Sequence, residues 1–223
     1  YLITEKKLHT FVKMNPTLLG YEYVRKTFDS MGYNYIQLKE ESFTNDLQYD
    51  DGVAMLKRLM KLAKEHGKEF GVKLSNTLAS PITRGELPGE EMYMSGRALY
   101  PLTINLARKL SNEFNGELRI SYSGGADYFN LSKIMETGIW PITVATTLLK
   151  PGGYQRFNQL AAIAEGEMEK GLPAKVDLDK LNKLADEALV DPNYQKGKRT
   201  VPSRKIDRRL PLLDCFVAPC TVG

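Results

Sequence analysis

Cysteine is almost missing from this chain: only Cys215 and Cys220 occur, both in the last nine of 223 residues. A disulfide between them would close too short a loop to constrain the chain. That argues against a secreted disulfide framework and for a reducing, cytoplasmic setting in which the thiols act as ligands. Histidine is equally scarce. His9 and His66 have neither metal-ligand nor triad spacing, and with no Gly-x-Ser-x-Gly elbow, nucleophilic hydrolysis has no support. No apolar run approaches the ~20 residues that cross a bilayer, so no membrane span is expected. The start, Tyr1-Leu2-Ile3-Thr4-Glu5-Lys6-Lys7, has no initiator Met and no basic-then-apolar leader pattern, and reads as a cut end.

Charge of one sign is also sparse outside one stretch. The formal net charge is +4, yet seven Lys or Arg and a single acid, Asp207, fall between Lys196 and Arg209. Without that stretch the balance is 24 basic against 26 acidic residues, slightly negative. The basic run lacks the interleaved aromatics that would stack on bases, so it reads as a solvated linker and no nucleic-acid partner is expected.

What is present is ordinary globular composition, 42% hydrophobic and 26% charged, arranged as alternating short apolar strands and amphipathic helices. Strands are predicted at Phe11–Asn15, Tyr35–Leu38, Phe70–Leu74, Leu118–Tyr122 and Pro141–Ala145. Helices are predicted between them. One carries Val24, Phe28 and Met31 with Gly32 at its stop; another carries Leu56, Leu59, Met60 and Ala63, capped by Asp50 and Asp51. Further helices are read near Tyr100–Leu110, Leu131–Glu136 and Tyr154–Ala164, and residues 78–94 as a loop. Repeated βα units argue a parallel α/β sheet, because parallel strands need a crossover connection. A doubly wound sheet and a (β/α)8 barrel both fit. Five units cannot close an eight-stranded barrel, so in the barrel case the other strands would precede Tyr1. After Gly171 the pattern changes to one helix capped by Asp177, then the basic linker.

In either fold the chemistry belongs at the carboxyl ends of the strands. Those ends carry Lys13 and Asn15; Lys39 with Glu40 and Glu41; Lys73, Asn76 and Thr77; Ser123-Gly124-Gly125; and Ala145-Thr146-Thr147. Lysine, amide, hydroxyl and a glycine pair suit a phosphorylated, hydrogen-bonding cofactor. Glycines let backbone N–H groups approach phosphate oxygens with no Cβ in the way. Taken singly each feature has a plainer explanation: a Gly-Gly is a tight turn, and a lysine is a solvated surface residue.

Together these residues resemble a family. Met94-Ser95-Gly96-Arg97-Ala98-Leu99-Tyr100-Pro101-Leu102 is similar to the loop-helix preceding the phosphate strand of dihydroorotate and dihydropyrimidine dehydrogenases. Ile120 to Asp127 and Ile142 to Thr146 resemble the final two barrel strands of those enzymes. Phe11-Val12-Lys13-Met14-Asn15-Pro16 resembles their flavin-lysine strand, and Leu74-Ser75-Asn76-Thr77 their substrate-contacting strand end. The longer runs FVKMNPTLLGY (11–21), LPGEEMYMSGRALYPL (87–102) and LLKPGGYQR (148–156) resemble the selenate reductase subunit family, large flavin and iron–sulfur proteins also described as glutamate synthase small-chain-like.

The resemblance implies an α/β fold, the C-terminal part of a dihydroorotate dehydrogenase-like TIM barrel (1–170), a helix and basic linker (171–209), and the start of a cysteine-rich domain (210–223). It implies FMN held by Lys13, Gly96, Gly124, Gly125, Ala145 and Thr146, with Asn76 and Thr77 on the substrate. Lys73 competes with Lys13 for the flavin, and the Asn-Pro context favours Lys13. Cys215 and Cys220 would bind a [4Fe–4S] cluster with ligands beyond this chain. FAD and NAD(P)H would sit elsewhere in the parent protein, whose remaining domains, and other redox subunits, would be the partners. The expected function is a flavin-dependent iron–sulfur oxidoreductase passing electrons from NAD(P)H to a small N-heterocyclic substrate. The alternatives are a glutamate synthase-like electron-transfer subunit or a scaffold barrel that has lost FMN. No catalytic residue is identified, since the dehydrogenases' catalytic loop would precede residue 1.

Overall fold

A computed structural model of the chain describes residues 1–197 apart from 84, 86 and 151. The elements run β1 (Thr10–Met14), a 3₁₀ turn (Pro16–Leu19), α1 (Tyr21–Ser30), α2 (Glu41–Thr44), α3 (Tyr49–Glu65), β2 (Phe70–Leu74), β3 (Leu78–Pro81) and β4 (Glu91–Met94). A second 3₁₀ turn (Gly96–Leu99) leads into α4 (Tyr100–Glu113), then β5 (Arg119–Tyr122), α5 (Leu131–Glu136), α6 (Thr146–Leu149), α7 (Gln155–Glu169) and α8 (Leu178–Val190).

The strands β1, β2 and β5 form a parallel sheet with β2 in the centre, and a single parallel bridge from Tyr122 to Ile142 adds a fourth rung. The register places Lys13 beside Lys73 and Lys73 beside Ser121, so these three share one face. The other face carries Val72, Leu74, Ile120 and Tyr122, all at most 1% exposed, against α4, whose Leu102, Leu106 and Leu110 are as deeply buried. That stripe recurs every four residues, the spacing of one helix face. The carboxyl ends of the strands therefore converge above a helix-backed layer, which is where the loops can build a site.

Three expectations change. The segment Tyr35–Leu38 is no strand. Its carbonyls find other donors: Arg25 Nη1 donates to Ile36 O at 2.5 Å and Ser80 Oγ to Gln37 O at 2.8 Å. Once those acceptors are satisfied no ladder is needed, and β1 pairs directly with β2. The predicted strand at 141–145 shrinks to the one bridge, held by Tyr122 N to Pro141 O at 2.9 Å and Thr143 N to Tyr122 O at 2.8 Å. The presumed loop 78–94 is an antiparallel hairpin of β3 and β4, with its Gly-, Pro- and Glu-rich part confined to the tip. A smaller revision concerns α3. Its cap is Gln48, and Asp50 and Asp51 lie inside the first turn, where they favour the helix by opposing its dipole.

The Asp177 cap of α8 is as expected, accepting from Lys180 N at 3.0 Å. This helix packs on α4, where Asn105 Nδ2 donates to Ala185 O at 3.2 Å and Arg108 pairs with Asp186 at 2.5 Å. No helix among the described residues is long and apolar enough to cross a membrane.

Candidate functional site

Four loops at the carboxyl ends of the strands enclose a cavity of about 150 Å³. Ser75 and Thr77 follow β2, and Ser95, Gly96 and Arg97 lie between β4 and α4. Ser123, Gly125 and Asp127 follow β5; Ala145, Thr146, Thr147 and Lys150 follow the fourth rung; and Lys13 completes the wall. The lining is dominated by hydroxyls, backbone and cations.

Local conformation explains the close convergence. Gly96 and Gly125 have φ of +79° and +75°, a region costly for residues with a Cβ. A Cβ at Gly125 would stand 2.5 Å from Gly96 O and 2.8 Å from Tyr100 N, so the two loops touch through bare backbone. The turn after β5 is fixed by Asn130, which donates to Gly125 O at 3.0 Å and accepts from Asp127 N at 2.8 Å. Opposite, Thr146 Oγ1 donates to Ser95 Oγ at 3.1 Å, closing the rim. Ser123 Oγ reaches Leu74 O and Ser75 O, both at 3.2 Å, pinning the β5 loop to β2.

Two charged wall residues are buried, Arg97 at 3% and Asp127 at 6% exposure. Both are held by the segment after α8: Arg97 Nη1 donates to Asn193 O at 3.2 Å, and Tyr194 Oη donates to Asp127 Oδ1 at 3.2 Å. Asp127 Oδ1 also accepts from Phe129 N at 2.9 Å. Its carboxylate thus has donors of its own and does not confront the cavity as an uncompensated negative charge.

The structure brings Lys13, Thr77, Gly96, Gly125, Ala145 and Thr146 to this wall, and leaves three other expected residues off it. Gly124 faces away, against Thr103 of α4, where a Cβ would collide with the Thr103 side chain. Its lack of a side chain serves helix packing. Lys73 lies one strand in from Lys13 on the same sheet face, and its ammonium pKa is lowered, first by burial and then by Lys13. Asn76 turns its side chain to Asn15, donating Nδ2 to Asn15 Oδ1 at 2.6 Å. Thr147, read with Ala145 and Thr146 at a strand end, is also on the wall, whereas sequence reasoning did not single out Arg97, Lys150, Ser95 and Asp127 as wall residues. Arg97 had a signal, directly following the glycine that starts the turn; Lys150 and Asp127 are read only from the folded loops. Among the described residues no group of three or more metal-ligating side chains occurs, and Cys215 and Cys220 lie outside the described residues.

Residues 1–196 match the model of the family described as "Oxidoreductase YgfK, N-terminal TIM-barrel domain". The chain is 53% identical over 223 residues to the proteins named "Putative oxidoreductase YgfK" in Escherichia coli strain K12 and in Escherichia coli O157:H7. It covers 100% of this chain but only 22% of the length of those relatives. The chain belongs to this TIM-barrel family of oxidoreductases, and its parallel βα architecture is that of an α/β barrel. Neither description mentions selenate.

Proposed function

We propose that the cavity holds the phosphate of FMN, and that the chain is the flavin-bearing barrel portion of a larger oxidoreductase. The observation that carries this is the meeting of two positive-φ glycine turns, Gly96 and Gly125, beneath a rim of hydroxyls from Ser95, Ser123, Thr146 and Thr147, with Arg97 and Lys150 on the wall. Bare backbone, hydroxyl donors and two cations are the complement of a dianionic tetrahedral group. A cavity of about 150 Å³ suits such a group and not a whole flavin, whose ring would lie over the open sheet face beside Lys13.

When bound, FMN supplies the hydride and electron chemistry, and the protein supplies orientation and charge. Arg97 and Lys150 neutralise the phosphate. Thr146, tied to Ser95, keeps two loops at a fixed spacing. Lys13 places an ammonium where the ring would carry negative charge. The resemblance of the strand ends to dihydropyrimidine dehydrogenases supports a planar N-heterocycle as substrate. By the same resemblance Cys215 and Cys220 are proposed as [4Fe–4S] ligands, and NAD(P)H and FAD as the electron source in the full-length protein.

The test is flavin content of the full-length protein beside a Thr146→Val, Lys150→Ala double variant. Loss of a charge-assisted contact and a hydroxyl should weaken FMN by about 10- to 100-fold. Full-length protein that contains FAD but no FMN would sink the reading and leave a scaffold barrel.

A further inference from the structure

Tyr194 touches the far end of both glycine turns that form the cavity. Its ring centroid lies 4.3 Å from that of Tyr100, the residue directly after the Gly96–Leu99 turn. Its Oη donates to Asp127 Oδ1 at 3.2 Å, just past Gly125. Asp127 in turn holds the loop that sets Gly125. Its Oδ1 accepts from Phe129 N at 2.9 Å and its N–H donates to Asn130 Oδ1 at 2.8 Å, while Asn130 Nδ2 donates to Gly125 O at 3.0 Å. The preceding residue of the chain sets a cation, since Asn193 O accepts from Arg97 Nη1 at 3.2 Å. Consecutive residues therefore buttress both the bare backbone and a positive charge of the cavity wall.

Both residues belong to a strap, residues 191–197, that follows α8. Asp191 fixes its start: Oδ1 accepts from Asn193 N at 2.8 Å and from Asn193 Nδ2 at 3.0 Å, and the carbonyl from Tyr194 N at 3.0 Å. Further on, Tyr33 Oη donates to Tyr194 O at 2.8 Å and Lys196 N to Met31 O at 3.0 Å, and the Lys196 ammonium stands 3.6 Å from the centre of the Tyr35 ring. Within the strap only Tyr194 is buried, at 1% exposure. A segment anchored by one buried side chain can open locally while the domain around it stays folded.

We infer that Tyr194 is a positioning residue for the phosphate, and that docking of the strap is coupled to occupancy of the cavity. The docked strap holds both glycine turns and Arg97 in place for a phosphate, and a bound phosphate holds the strap docked. Linkage makes the two effects equal in free energy. The inference rests on the flavin reading above for the identity of the ligand, and adds a means of regulating that site. The strap leads on to the part of the chain that carries Cys215 and Cys220, so a pull from that side lowers phosphate affinity.

The experiment uses full-length protein stripped of flavin, titrated in a calorimeter with FMN and with riboflavin, which has the same ring and no phosphate. Tyr194→Phe keeps the ring against Tyr100 and removes only the bond to Asp127. It should weaken FMN by about 5- to 20-fold, the loss of one hydrogen bond to a charged group, and leave riboflavin within about twofold. A merely structural loss would weaken both ligands alike. In the parent, amide hydrogen exchange of 191–197 should slow severalfold with FMN and stay unchanged with riboflavin, as the reciprocal coupling requires. The inference is overturned if Tyr194→Phe binds FMN as the parent does, if both flavins weaken equally, or if exchange of the strap ignores FMN. Should Tyr194→Phe not fold, the exchange comparison on the parent decides. A parent that binds neither flavin would strike the flavin reading, and inorganic phosphate would then replace FMN in the exchange experiment. Slower exchange of 191–197 with phosphate would uphold the coupling, and unchanged exchange would overturn it.

Discussion

Gly124 backs directly onto Thr103, so closely that any side chain at 124 would occupy the space of the Thr103 Cβ, Cγ2 and hydroxyl. Thr103 cannot easily withdraw. It is fully buried in α4, and its Oγ1 is hydrogen-bonded to Ser75 Oγ at 2.9 Å. Gly124→Ala should lower domain stability by about 1–3 kcal/mol, the usual result of overpacking, and Gly124→Val by more. Calorimetry of the full-length protein would show this as a lower melting temperature for this domain. FMN affinity in the Ala variant should fall only as far as folding falls, since the residue is off the wall.

Arg97 serves both fold and site. Replacing it by Met removes a cation from the cavity and leaves the Asn193 carbonyl without its 3.2 Å donor. FMN should bind on the order of 10- to 100-fold more weakly, with about 1–3 kcal/mol lost in stability. Arg97→Lys should recover part of the binding but little of the contact to Asn193, because a single ammonium cannot reach in two directions as the guanidinium does. Equal FMN affinity in all three proteins would remove Arg97 from the phosphate site.

Lys73 should reveal itself through pH. Its folded pKa lies below the unfolded value near ~10.4, by burial first and Lys13 second. The folded state therefore disfavours the charged form. The penalty is complete below the folded pKa and fades as pH rises to the unfolded value. Lys73→Met should accordingly raise the melting temperature of flavin-free protein at pH 7, with the gain shrinking as pH approaches about 10. A gain that did not change with pH would mean that Lys13 and burial are not its cause.

Asp46 has the opposite sign. Its folded pKa is lowered, so its contribution is present above the unfolded value near ~3.9 and disappears as pH falls through the folded one. The stability difference between parent and Asp46→Ala should be constant from pH 6 to 8 and close below about pH 4. Chemical denaturation across that range is the measurement.

The two apolar clusters should not be equivalent. Leu102 of α4 is 0% exposed in the main core, whereas Leu160 of α7 is 5% exposed in a small cluster with Leu131 and Met135. That cluster borders a groove of about 430 Å³. Leu102→Ala should cost near the upper end of the ~2–5 kcal/mol range and Leu160→Ala near the lower, since the neighbours of Leu160 can relax into open space. Reversal of that order in urea titrations would mean that the groove is filled in the full-length protein.

Much of the scaffold was legible because it is periodic. The α4 stripe of Leu102, Leu106 and Leu110, and the strands around Val72 and Ile120, each follow from the repeat of one element. Strand-end logic likewise singled out Lys13, Thr77, Gly125, Ala145 and Thr146, which the structure places on the cavity wall, while Gly96 was singled out only by the family resemblance. It failed at Tyr35–Leu38, where the apolar pattern is real, with Ile36 3% exposed, but the backbone partners are Arg25 and Ser80. A sequence pattern reports burial; it does not report which donor satisfies a carbonyl.

By itself, then, the sequence determined where the longer helices lie, which of them bury a face, and most of the residues that stand at the strand ends; the short α2 and α6 were not read from it. All of this depends on neighbours within a few positions along the chain. The tertiary structure alone decided that Gly124 belongs to helix packing and Gly125 to the cavity, that Arg97 and Asp127 are held by residues 193 and 194, and that Asn15 donates to Asp46 and accepts from Asn76. Those relationships join residues 21 (Gly124 and Thr103) to 96 (Arg97 and Asn193) positions apart along the chain, and hydrogen bonding and close packing act on distance in space, which no local pattern encodes.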